Sequence, residues 1–258
     1  MCLAFVALNS STNYPFFATF NRDEVFCRAT AVAHWWKESP KILAGRDEER
    51  GGTWAGITRS GKVGMLTFVR TPRSGSGERS KRSRGQIVVD FLQTDAEPEE
   101  FIKKLREAGS EYLPYNVILG KIGSSFIHYS NLTDGVTVLG NRLHGLSNAS
   151  IDTPWPKVVD GKRALAICLS SGSHQLNRVF RAMQDTGRYS DEALPNTGIP
   201  LRRERALSAA FIEDEDYGTR TTTIIRVNNE GVVEFIEKTH GRFAQKSSSV
   251  RFAWKLES

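Results

Sequence analysis

Strand-like and helix-like stretches follow one another along this chain in blocks rather than singly. Leu3–Leu8 and Phe16–Phe20 are apolar runs separated by the turn-rich NSSTNYP, which predicts a β-hairpin with a long loop. GGTWAGITRSGKVGMLTFV (51–69) predicts two short strands around the Ser60-Gly61 turn. Helical spacing follows over Gly85–Leu92 and again over Glu97–Ala108, where Phe101, Ile102 and Leu105 share a face. Strands resume at Val117–Leu119, Phe126–Tyr129 and Val136–Leu139, and two more helices occupy about 156–170 and 175–184. The end is all strand: TTTIIRV, VVEFIEK and VRFAWKLE. Segregated blocks favour an α+β layered fold over a strictly alternating parallel one, and two sheets with helices outside is its four-layer form. No repeat or compositional break divides residues 1–258, which predicts one domain, with Tyr189–Arg205 as a polar surface excursion.

A chain of 258 residues can bury a sizeable core. No apolar run approaches the ~20 residues of a membrane-spanning helix. The N-terminus lacks the basic segment, apolar core and cleavage site of a secretory signal, so a cytoplasmic protein is expected, not a secreted one. In that reducing setting the three cysteines, Cys2, Cys27 and Cys168, are expected to be free thiols. The five histidines show no ligand spacing, and no metal site is expected. Part of the net charge of +6 is local, in the Arg- and Lys-rich TPRSGSGERSKRSRG at 71–85. This segment reads as a mobile solvated loop, or as a contact for an anionic membrane surface or a phosphate-bearing ligand. Without interleaved aromatics it argues against nucleic acid.

The second apolar run gives way abruptly to Asn21-Arg22-Asp23-Glu24, polar residues with no Gly or Pro to end a strand. Folding the first hairpin about Thr12-Asn13 sets Phe5 opposite Phe20, Ala7 opposite Ala18 and Cys2 opposite Asp23. Charges at that strand end would then surround a thiol at position 2. If Met1 is removed, Cys2 carries a free α-amine of pKa ~8, able to accept the thiol proton. Arg22 would stabilise the thiolate, and Asp23 would hold the ammonium. The competing reading makes Cys2 a small core residue that starts a strand.

The motifs Met1-Cys2, NRDE (21–24), GGTW (51–54), SRG (83–85), LSNA (146–149), TPW (153–155) and YGTRT (217–221) occur here in the order that marks one family. The chain resembles the NRDE family of transport and Golgi organization protein 2-like proteins nearly end to end. The resemblance implies an αββα sandwich of the N-terminal-nucleophile (Ntn) hydrolase type, two mostly antiparallel sheets with helices outside, and Cys2 at the nucleophile position. By similarity to choloylglycine hydrolases and penicillin V acylases, Asp23 matches the aspartate beside the nucleophile and Asn148 the asparagine near the reacting carbonyl. One departure is Leu66-Thr67-Phe68, where the family usually has Leu-Thr-Asn. Phenylalanine has no side-chain donor, and losing one oxyanion donor costs roughly 10²–10³ in rate.

Two functions follow as expectations. In the first, Cys2, Asp23, Asn148 and Arg22 cleave an amide or ester of an apolar acyl substrate with no cofactor. Trp54, Phe68 and Trp155 are expected to line the ligand site, and Arg220 reads as an anion anchor at the pocket mouth, meeting the charge of a carried ligand, or as a charge beginning an edge strand. The second is implied by the family's links to lipid homeostasis and haem trafficking. There the same pocket carries lipid, acyl-CoA or haem without catalysis, in association with Golgi or mitochondria, and His144 is the one histidine to watch as an axial ligand.

Overall fold

A computed structural model describes residues 2–72, 81–170, 176–242 and 247–257. One antiparallel sheet runs, edge to edge, through β10 (Leu143–Leu146), β1 (Cys2–Leu8), β2 (Phe16–Val25), β11 (Tyr217–Val227), β12 (Val232–His240) and β13 (Ser247–Lys255). The other, also antiparallel, runs in chain order through β3 (Thr30–Trp35), β4 (Ile42–Asp47), β5 (Ala55–Thr58), β6 (Lys62–Phe68), β7 (Tyr115–Lys121), β8 (Phe126–Ser130) and β9 (Gly135–Val138). Helices α1 (Arg84–Gln93) and α2 (Pro98–Glu107) cover the second sheet, and α3 (Pro156–Ser170) and α4 (Leu176–Met183) cover the first. A short α5 (Leu201–Ala206) precedes β11. The layers are helix, sheet, sheet, helix.

Period-two alternation sorts each strand between two cores. Along β1, Cys2, Ala4, Val6 and Leu8 face the opposing sheet, while Leu3, Phe5 and Ala7 face α3 and α4. Along β6, Val63 and Met65 point between the sheets and Leu66 points under α1. Helix α3 lies close on β1 because residue 161 is glycine: a Cβ there would stand 2.3 Å from Phe5 Cζ. Helix α2 starts on Pro98, carries Glu99 and Glu100 in its first turn and Lys104 and Arg106 in its last, all matched to the helix dipole.

Several expectations change. Strands β3, β4 and β10 are additional: β10 is short, and β4 buries Ile42, Leu43, Ala44 and Gly45 in succession, with no alternation. The hairpin register differs by one residue, with Cys2 opposite Arg22, Phe5 opposite Thr19 and Ala7 opposite Phe17. Of the expected loop 71–85, residues 73–80 lie outside the described residues, as does Met1, and Arg84-Gly85 open α1. The excursion 189–205 is not purely superficial, since Glu204 is buried. Among the described residues, no helix is long and apolar enough to cross a membrane.

Candidate functional site

Strand β2 does not stop at its polar residues. It continues through Asn21, Arg22 and Asp23, all buried, to Val25, because each polar side chain finds partners inside. Asn21 Nδ2 donates to Met183 O (2.8 Å) and Ala210 O (2.9 Å), while its Oδ1 accepts from the Thr222 hydroxyl at 2.7 Å. Alternation then sends Arg22 between the sheets, where Nη1 donates to Thr30 Oγ1 at 2.9 Å and the guanidinium lies 4.3 Å from the Trp54 ring centre. Asp23 faces the other way. Its Oδ1 accepts from Thr219 Oγ1 at 2.7 Å, and its backbone carbonyl accepts from the Tyr217 hydroxyl at 2.9 Å.

A bulge between Thr219 and Thr221 shifts the β2–β11 register at this point and leaves Arg220 as the extra residue. Arg220 Nη1 donates to the Val25 and Arg28 carbonyls at 2.9 and 3.2 Å, so its guanidinium ties down the turn after β2.

Cys2 is 4% exposed, pairs across the ladder with Arg22, and shares the inner face with it. Burial pushes its thiol up to about 11; the terminal ammonium, a hydrogen bond from the Asp23 backbone N–H and the Arg22 charge act against that rise. Burial also raises the Asp23 carboxyl above the usual range, against the pull of the terminal ammonium, Lys157, Thr219 and Arg70.

Asn148 follows β10 and lies beside this strand end. Ser147 Oγ donates to the Cys2 carbonyl at 3.3 Å, and Thr67 Oγ1 donates to the Ser147 carbonyl at 2.7 Å. Asn148 Nδ2 donates to Phe68 O at 2.8 Å, and the Arg70 N–H donates to Asn148 O at 2.8 Å. These bonds pin the loop after β10 between the two sheets. The structure thus brings Cys2, Arg22, Asp23, Trp54 and Asn148 to one end of the sandwich. The Phe68 ring turns outward instead, packing with the α1 and α2 core 3.4 Å from the Arg84 guanidinium, and only its carbonyl meets Asn148.

Three buried charged residues complete the cluster without having been singled out in the sequence. Arg70 and Glu204 form an ion pair at 2.5 Å, and Glu204 also accepts from the Thr197 N–H at 3.0 Å. Lys157, in the first turn of α3, donates from Nζ to Leu207 O at 2.9 Å. Burial brings its ammonium down to about 8, with the Asp23 charge opposing. A shallow depression lies beside this cluster, walled by Trp155, Tyr189, Leu194 and Leu207 with Arg70 and Lys157 in its lining. The Arg70 guanidinium stands 4.9 Å from the Trp155 ring centre. The one sequence signal for Lys157 is its place two residues after TPW; Arg70 and Glu204, 134 positions apart, leave none.

His144 has both ring nitrogens engaged, Nδ1 with Asp152 Oδ2 at 2.8 Å and Nε2 with Gly140 O at 3.0 Å. That commits it to the β10 turn. Among the described residues, no three His, Cys, Asp or Glu side chains gather where a metal ion could be held.

Known proteins share both the sequence and the architecture. The C2A mutant of conjugated bile acid hydrolase from Clostridium perfringens superimposes on 100% of this chain and 97% of its own, with a TM-score of 0.50 at 9% identity. That likeness carries the fold, a sandwich of the Ntn-hydrolase type. The Transport and Golgi organization protein 2 homolog of Bos taurus is 31% identical over 93% of each chain, and the Homo sapiens homolog is 30% identical over 93% of each. The family described as Transport and Golgi organisation 2 matches residues 1–242, and this chain belongs to it.

Proposed function

We propose that this protein is an Ntn-type amidohydrolase or acylase whose nucleophile is Cys2, freed by removal of Met1. The observation that carries the reading is the position of Cys2: it heads a central strand in register with Arg22, takes the Asp23 N–H on its sulfur, and has Ser147 on its carbonyl. With a residue ahead of it the buried thiol is poorly ionised. Processing supplies the missing base. The new α-amine accepts the thiol proton, sulfur attacks the carbonyl of an amide or ester, and the amine returns the proton to the leaving group. Water then attacks the thioester and releases the acid.

Asp23 holds the amine, Arg22 favours thiolate, and Asn148 keeps one amide N–H on Phe68 O while the other serves the oxyanion. Trp54 and Trp155 are the apolar surfaces for the acyl group. The shared fold with a conjugated bile acid hydrolase supports the reaction class and leaves the substrate to experiment. Intact mass of the purified protein should show loss of Met1, and a thiol-directed acyl probe should label the protein at Cys2. Labelling that persists unchanged in Cys2→Ala removes the proposal.

A second reading is favoured by the depth of the sulfur, 4% exposed, and by the family's description. In it the site binds and carries acyl-CoA, lipid or haem at Golgi or mitochondrial membranes, with the basic segment 71–85 meeting anionic headgroups. A tight acyl-CoA or haem complex that survives Cys2→Ala, with no turnover, supports carriage. Failure of both to bind removes it.

A further inference from the structure

Asn116 lies on β7 in ladder register with Thr67 of β6, and both residues are fully buried. Alternation with Ile118 and Met65 turns the two side chains between the sheets. A carboxamide is tolerated there only when its polar atoms are taken up, and in Asn116 all of them are. Its Nδ2 donates to Ala149 O at 2.9 Å and to Thr67 Oγ1 at 3.2 Å. Its Oδ1 stands 3.3 Å from His128 Nε2. A carboxamide oxygen only accepts, so the ring donates from Nε2. Burial brings the His128 pKa down to about 4, which keeps the ring neutral near pH 7 with its proton on that nitrogen. His128 thereby fixes which way the amide faces: turned over, it would set its oxygen against the Ala149 carbonyl.

These bonds converge on one stretch of chain. Thr67 Oγ1, having accepted from Asn116, donates onward to Ser147 O at 2.7 Å. Ser147 O and Ala149 O flank Asn148 on either side, and Asn148 O itself accepts the Arg70 N–H at 2.8 Å. Three successive carbonyls of the loop after β10 are therefore held by β6, β7 and the segment that follows β6. Leucine at 116 would avoid burying an amide but would leave the Ala149 carbonyl without its donor.

We infer that Asn116 is a positioning residue: through Ala149 O and Thr67 it fixes the Ser147–Ala149 loop, and so aims the Asn148 carboxamide at the oxyanion formed beside Cys2. The role rests on the reading of Cys2 as nucleophile. It deepens that reading by naming what holds the side-chain donor in a chain whose residue 68 is phenylalanine and turns its ring toward α1 and α2. Placement matters because a misplacement of about 1 Å costs on the order of 10²-fold in rate.

The test sets two reactions of the Met1-free protein side by side, with p-nitrophenyl acetate and with iodoacetamide. In the first, the Cys2 sulfur bonds to the acetyl carbon through an oxyanion, the ester C–O bond breaks and p-nitrophenolate leaves. In the second, sulfur displaces iodide from a saturated carbon and no oxyanion forms. Both are followed by mass spectrometry at the Cys2 peptide, because Cys27 is exposed. Asn116→Ala should slow acylation roughly ten- to a hundred-fold and leave alkylation unchanged. Added to Asn148→Ala, it should deepen the loss hardly at all, whereas independent damage would multiply. Hydrogen exchange gives a readout that needs no chemistry at sulfur: the amides of Arg70 and of residues 147–149 should exchange faster in Asn116→Ala, and those of β12 should not. Isosteric Thr67→Val should act in the same direction, and it decides if circular dichroism shows Asn116→Ala unfolded. Unchanged exchange at Arg70 and 147–149, equal losses in acylation and alkylation, or full additivity with Asn148→Ala overturns the proposal. A parent chain that the ester does not acylate at Cys2 removes the nucleophile reading instead, and the exchange data then decide by themselves whether Asn116 holds the loop.

Discussion

Glu237 gives the sharpest test of the electrostatics at this end of the sandwich. It lies on β12, is 1% exposed, and joins both sheets: Oε1 accepts the Ala33 N–H of β3 at 2.8 Å, and Oε2 accepts the Thr223 hydroxyl of β11 at 3.0 Å. Burial raises its carboxyl from an ordinary 4.5 to about 7, the two hydrogen bonds and the Arg22 charge offsetting part of the rise. Between those values the folded protein holds a proton that the unfolded chain has released, so stability falls as pH rises through the window. At about 1.4 kcal/mol per pH unit the span amounts to roughly 3 kcal/mol, absent below pH ~4.5 and complete above pH ~7. Glu237→Gln keeps the shape and the Ala33 bond, and the Thr223 hydroxyl can turn to accept from the new amide. Urea unfolding should find the variant nearly equal to the parent at pH 5 and more stable by up to about 3 kcal/mol at pH 8. A stability difference that is the same at both pH values would refute a buried carboxyl that titrates near neutrality.

Arg70→Met leaves Glu204 buried without its partner and should cost about 3–5 kcal/mol, lowering Tm by roughly 6–20 °C. Adding Glu204→Gln should restore more than half of that loss in thermal melts; a cost below about 1 kcal/mol, or a second substitution that only adds damage, contradicts the pairing. Gly161→Ala brings a Cβ to 2.3 Å from Phe5 Cζ, and overpacking of about 1–3 kcal/mol should exceed the helix-propensity gain of about 1 kcal/mol. A rise in Tm for that variant would mean α3 can lift from β1 without loss.

Much of the architecture was legible because it rests on local periodicity. The apolar spacing of α2 and α3, the opening hairpin and the three closing strands each carry their pattern within about ten residues, and all occur where that pattern put them. Strands β3 and β4 escaped because β3 is half-exposed without clean alternation and β4 is buried on both faces. The strand end at Asn21 looked like a terminus because polar residues usually end burial, whereas Asn21 is satisfied by two carbonyls more than 160 positions away.

Residue types and their order were enough, by themselves, to determine a layered α+β chain with a thiol at its head and an Arg-Asp pair on the neighbouring strand. Which face each of those side chains occupies was decided only by pairing, since a slip of one residue exchanges the faces of a strand and the long loop of the hairpin left that slip free. The charges behind the thiol were likewise settled only in three dimensions. Arg70, Lys157 and Glu204 become one cluster because the segment after β6, the first turn of α3 and the short α5 meet, and no spacing along the chain records that meeting.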